Sequence, residues 1–166
     1  AFKGTEKRSA KEIAEEFDKI GGHFNAYTSR EKTVYYAKVL KNDLETAVDI
    51  LSDILQNSKF DQAELDRERG VILEEMKMVA DTPDEQVFEH FQETAYPNQP
   101  FGRSILGTTD IIKSVTRDDI VSYVNQHYGF NNIIIAGAGN LKHEQFGELI
   151  QSKFNNFASN VSTSKE

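Results

Sequence analysis

One stretch of this chain, residues 23–40, follows a period of two, while nearly everything around it follows the 3.6-residue period of a helix. The stretch is rich in Phe, Tyr, Thr and Val, and it divides at Ser29-Arg-Glu-Lys32, a polar turn between two β-prone runs. It reads as an antiparallel hairpin, about 23–28 paired with about 33–40. Many amphipathic helices around a few antiparallel strands place the chain in the α+β class, an antiparallel sheet with helices packed on one face.

The helices mark their own ends. Ser9-Ala-Lys-Glu12 is a capping box opening a helix with Ile13, Phe17 and Ile20 on one face, and Gly21-Gly22 stops it. Asn42 or Asp43 caps a second helix, with Leu44, Ala47, Val48, Leu51, Ile54 and Leu55 inward. A third starts at Asp61-Gln-Ala-Glu64 and runs to about residue 79. Thr82-Pro-Asp-Glu85 caps a fourth, predicted to turn Val87, Phe88, Phe91 and Ala95 inward. Residues 96–107 read as a loop, with short helices following at 110–114 and 116–127. The apolar run in 131–138 is bounded by turn residues and reads as a buried strand, expected in the same sheet as the hairpin. A last helix carries Phe146, Leu149, Ile150, Phe154 and Phe157, and residues 159–166 read as a flexible tail or linker.

Composition removes several functions. The 166 residues carry 19 Lys+Arg against 27 Asp+Glu, a net charge of −8, and no basic stripe. Phosphate neutralisation needs one, so nucleic acid is not an expected partner. No cysteine is present, which excludes disulfides, thiolate zinc sites and Cys nucleophiles. The longest apolar run is far too short to span a membrane, so no membrane partner is expected. H-E-x-x-H, G-x-S-x-G, the P-loop and G-x-G-x-x-G are all absent.

The third helix breaks its own pattern. With Leu65 at 0° and about 100° per residue, Ile72, Met76 and Val79 define an inward stripe. Glu68 and Glu75 fall on its shoulder, whereas Glu74 lies opposite. Two carboxylates two turns apart beside an apolar face are costly to bury without a cation or a metal. Pairing with Arg67, Arg69 or Lys77, or simple solvation, would equally account for them. His90-Phe-Gln-Glu93 places an imidazole and a carboxylate one turn apart, without a second histidine near, and is expected to be a solvated pair.

Four segments together resemble a known family: Ala1-Phe-Lys-Gly-Thr5, Gly21-Gly-His-Phe-Asn-Ala-Tyr-Thr-Ser-Arg-Glu31, Thr33-Val-Tyr-Tyr-Ala37 and Arg67-Glu-Arg-Gly-Val-Ile-Leu-Glu-Glu-Met76. They resemble the pitrilysin-type (insulinase family) zinc peptidases, in the branch of the processing peptidases and their bacterial relatives. The resemblance covers nearly all the chain. It implies a zinc-dependent metalloendopeptidase whose metal is held by an inverted H-x-x-E-H motif and by a Glu about 75 residues further on. That motif belongs just before Ala1, and the family spacing puts the distal ligand on Glu75. Glu68 matches the auxiliary catalytic carboxylate behind the metal. Two histidines and a carboxylate leave a fourth zinc position for a water whose pKa falls to about 7. Residues 24–28 resemble the edge strand that holds the substrate peptide by strand addition, with Asn25, Ala26 and Tyr27 as contacts.

The resemblance also implies a peptide substrate, presequence-like or short and unfolded, and a second homologous domain or subunit. The location it implies is the bacterial cytoplasm or the mitochondrial matrix. Residues 1–158 are expected to be part of the N-terminal zinc-peptidase domain, without its H-x-x-E-H segment, and 159–166 a tail. With one ligand of three, the 166 residues alone are expected to hold Zn²⁺ weakly or not at all and to be inactive, with Glu75 open to water. The alternative reading is a non-catalytic scaffold or substrate-binding subunit of the same fold.

Overall fold

The computed structural model describes residues 2–157. In chain order it contains α1 (Ala10–Lys19), β1 (His23–Thr28), β2 (Thr33–Lys38), α2 (Leu44–Asn57), α3 (Gln62–Ala80), α4 (Pro83–Ala95), α5 (Thr109–Ser114), α6 (Arg117–His127) and α7 (His143–Lys153). Among the described residues β1 and β2 form the only sheet, an antiparallel pair. The predicted hairpin is closed where Ser29 N donates to Lys32 O at 2.8 Å, with the Ser29 hydroxyl accepting from Lys32 N. The chain divides into two compact units. The described residues of the first are 2–25, 35–61 and 118–157; those of the second are 26–34 and 62–117.

The first unit is built on α2. Ala47, Ile50 and Ile54 meet Ile13 and Phe17 of α1, and Phe24 of β1 and Ala37 of β2 pack on the same cluster. Helices α1 and α2 thus cover one face of the hairpin's base, and the Phe17 and Phe24 rings stack at 4.3 Å. On its other side α2 lends Val48 to a cluster with Phe154 and Phe157, joined by Phe146, Leu149 and Ile150 of α7. Ile50, which lies outside the single inward face expected of α2, is 0% exposed. A helix packed on two sides has no single inward stripe. The capping box is formed as expected, Ser9 accepting from Glu12 N while Glu12 returns a bond to Ser9 N.

A buried ion cluster ties the start of the chain to α2. The Arg8 side chain is 8% exposed and meets Glu16 at 3.0 Å, Asp49 at 2.6 Å and Asp53 at 2.9 Å. Thr5 donates to Asp53 at 2.7 Å and accepts from Arg8 N at 2.9 Å. Lys7 and Lys153 close on Asp49 at 2.8 and 2.9 Å. Burial alone would raise the Asp49 carboxyl, but hydrogen bonds from Lys7, Lys153 and Arg8 hold it well below the ordinary range. Asp53 is likewise lowered, its burial overcome by Thr5, Asn57 and Arg8.

The second unit is organised by two arginines. Arg69 of α3 donates to the carbonyls of Ile112 and Val115 at 3.0 and 2.8 Å, satisfying acceptors at the C-terminal end of α5. Arg30, from the hairpin turn, meets Glu89 of α4 at 3.2 Å and the carbonyl of Arg103 at 2.5 Å.

Three expectations fail here. Val87, Phe88, Phe91 and Ala95 do not turn inward: Phe88 is 71% exposed and the other three are exposed with it. The half-buried side of α4 is instead Gln86, Glu89 and Gln92, drawn in by polar partners such as Arg30. The second failure is the strand at 131–138. Residues 130–132 form a 3-10 turn, and 133–138 belong to no sheet, because among the described residues nothing pairs with their backbone. The last helix also stops at Lys153, so Phe154 and Phe157 are buried from the segment after it. The reading of 159–166 as a tail lies outside the described residues.

Candidate active site

Helix α3 carries the two singled-out carboxylates, both in the second unit. Its half-buried residues include Leu65, Ile72, Met76 and Val79, the stripe expected from the wheel. Glu68 is half-buried beside that stripe. Glu75 is exposed, open to water as expected, but so is Glu74, and the wheel's contrast between the two does not appear as a difference in burial class. The two singled-out glutamates are two turns apart, about 10 Å along the axis.

Their surroundings separate them more sharply than burial does. The three cations that could have neutralised them are engaged by other carboxylates. Arg67 pairs with Glu64, Arg69 with Asp66, and Lys77 with Glu74 at 2.7 Å. Each pair is one turn apart on the exposed flank, the ordinary stabilisation of a solvated helix. Glu74 is thus accounted for. Among the described residues no side-chain hydrogen bond or ion pair reaches the Glu75 carboxylate. It stands on α3 with both oxygens exposed to water.

The edge residues divide by alternation along β1. Asn25 and Tyr27 are exposed, whereas Phe24 and Ala26 are half-buried. Asn25 belongs to the first unit, Ala26 and Tyr27 to the second. His90 and Glu93 approach to 3.6 Å with both side chains exposed, the solvated pair expected.

Among the described residues no group of three His, Asp or Glu side chains could hold a metal ion. The residues present therefore do not fit a complete zinc centre. Sequence reasoning misses the Arg8 cluster and the Arg30–Glu89 pair. The usable signal for the first is the placing of Asp49 and Asp53 one turn apart on α2, beside its apolar residues Val48, Ile50 and Ile54.

Comparison with known proteins adds a frame to this geometry. Residues 1–109 match the family model described as insulinase (peptidase family M16), and residues 114–165 match that of the peptidase M16 inactive domain. The chain is similar to the mitochondrial-processing peptidase subunit beta of Bos taurus, 50% identical over 99% of this chain and 33% of that protein. An uncharacterized zinc protease of Rickettsia felis is 44% identical over 95% of this chain and 40% of that protein. A protease crystal structure from Helicobacter pylori superposes with a TM-score of 0.89 at 25% identity, covering 99% of this chain and 40% of the other. The chain spans between a third and two fifths of the length of these relatives.

Proposed function

The chain belongs to the insulinase (M16) peptidase family, and from that premise we propose that it is part of a zinc-dependent metalloendopeptidase in which Glu75 is a metal ligand. The observation that carries the reading is the state of Glu75: exposed, and without a side-chain partner among the described residues, on a helix where every neighbouring cation is taken. A bare carboxylate there gains nothing for the fold, and a hard anionic oxygen on a rigid helix suits a divalent ion. The remaining ligands would come from outside the described residues. Bound there, zinc would supply an activated water for peptide hydrolysis.

Glu68, half-buried one heptad earlier, would tune that site from behind, as outer groups do for metal ligands. Residues 25–27 would take the substrate as an added strand: main-chain bonds at the edge give affinity, and the exposed side chains of Asn25 and Tyr27 give selectivity. The substrate would be a peptide in extended form, presequence-like or short and unfolded. Residues 1–158 would be part of the N-terminal zinc-peptidase domain, 159–166 a tail or linker, and a second homologous domain or subunit would complete the substrate chamber. The relatives are named for mitochondria and for a bacterial zinc protease, which supports a matrix or bacterial cytoplasmic location.

The test uses the full-length polypeptide containing this chain and an unfolded peptide substrate. Cleavage should cease with a chelator and return on adding Zn²⁺. Cleavage indifferent to the chelator, or no cleavage by the zinc-loaded protein, would overturn the reading.

A further inference from the structure

Arg30 stands at the tip of the hairpin and is bonded to two elements distant in sequence. Its side chain is 13% exposed; one nitrogen meets Glu89 of α4 at 3.2 Å and another donates to the Arg103 carbonyl at 2.5 Å. An arginine at a polar turn ordinarily extends into water, and this one does not. Its planar fork takes a carboxylate and a peptide oxygen at once, which an ammonium does poorly.

Both ends of this clamp are stiff. At the turn, Ser29 N donates to Lys32 O at 2.8 Å, and the Ser29 hydroxyl donates to that same carbonyl at 3.1 Å while accepting from Lys32 N at 3.2 Å. On the other side, Arg103 follows a 3-10 turn at Pro100–Gly102 that packs back on α4. Gly102 is buried so closely that a Cβ there would fall 2.2 Å from the Tyr96 carbonyl oxygen, and Tyr96 N donates to Gln92 O at 2.9 Å. Helix α4 packs in turn on α3, with Gln86 donating to the Val79 carbonyl at 3.3 Å. Residues 26–34, Glu89, Arg103 and Glu75 all belong to the second unit. Through Arg30 the turn is thus tied to the body of the unit that carries Glu75.

A two-stranded hairpin is marginally stable by itself and twists readily. A peptide added along residues 25–27 would be held by main-chain bonds about 4.8 Å from β1, so movement of the tip is passed on to the bond to be cleaved. A displacement of about 1 Å costs on the order of a hundredfold in rate. We propose that Arg30 is a positioning residue: by bridging Glu89 and Arg103 it fixes residues 26–28 of β1 relative to Glu75, and so sets where the bound peptide meets the metal. The inference rests on the peptidase reading above and adds to it a residue that acts through the strand rather than by touching peptide or metal.

The test compares wild type, Arg30→Ala and Arg30→Lys in the full-length polypeptide, well below their melting temperatures, on one unfolded peptide. In Arg30→Ala kcat should fall at least about tenfold, with KM within about threefold of wild type and zinc content unchanged. Arg30→Lys should recover only part of kcat. Unchanged kcat would overturn the inference, since an ion pair that only stabilises the fold lowers the melting temperature and leaves turnover intact. A rise in KM at constant kcat would also overturn it, by making Arg30 a substrate contact, and so would loss of zinc, which would make Arg30 a support of the metal site itself. A zinc-loaded wild type that fails to cleave would sink the peptidase reading instead. Amide exchange at residues 26–34 then tests the clamp alone: it should be at least about tenfold faster in Arg30→Ala, and unchanged exchange would contradict the inference.

Discussion

Glu74 and Glu75 are adjacent, chemically identical and both exposed, yet only Glu74 has a partner, Lys77 at 2.7 Å. A helical wheel ranks such residues by angle alone, and angle does not report which cations are already engaged. The opposite case is Arg8, which no motif singles out and which the fold buries among three carboxylates. Arg8→Met leaves Asp49 and Asp53 without their shared guanidinium and should cost about 3–5 kcal/mol, measured by denaturant unfolding. Arg8→Lys should recover only part, since an ammonium cannot present a planar fork to several carboxylates. The cluster also sets a pH dependence. Asp49 and Asp53 are held below their ordinary value of 3.8 in the folded chain, so the unfolded chain binds more protons in acid. Their stabilisation is complete above that value and is lost as pH falls through the depressed folded values. Melting temperature should therefore drop steeply below about pH 4, and Asp49→Asn should flatten that drop.

At the scale of elements, what depends on neighbours in sequence is legible. The capping box at Ser9 and the turn at 29–32 are closed by residues within four positions of one another, so their chemistry lies in the local sequence. What depends on distant partners is not. The apolar pattern of α4 points the wrong way because its inward face is polar, held by an arginine 59 positions away at the hairpin turn. The composition of 131–138 implies a sheet strand, yet 130–132 form a 3-10 turn and 133–138 join no sheet among the described residues. Two glycines give opposite predictions. Gly70 sits inside α3 with nothing within 4 Å of where a Cβ would stand, so Gly70→Ala should stabilise by about 1 kcal/mol. At Gly102 a Cβ would fall 2.2 Å from the Tyr96 carbonyl oxygen, and Gly102→Ala should destabilise by about 1–3 kcal/mol. Thermal unfolding of both variants reads the contrast.

Across the whole molecule, the family is carried by residues 1–109, and the candidate ligand lies inside that span. The site is legible in sequence only as one suspicious carboxylate with a companion. A metal centre assembles ligands from separated segments, and the described residues contain no set of three. Among them, too, no helix is long and apolar enough to cross a membrane. The central claim is that Glu75 binds metal whereas its neighbour does not. The zinc content of the full-length polypeptide after dialysis against dilute Zn²⁺, determined by elemental analysis, tests it most directly. Stoichiometric zinc should be retained by the wild type and by Glu74→Gln and lost in Glu75→Gln with the fold intact by circular dichroism. Full zinc retention by Glu75→Gln would contradict the claim.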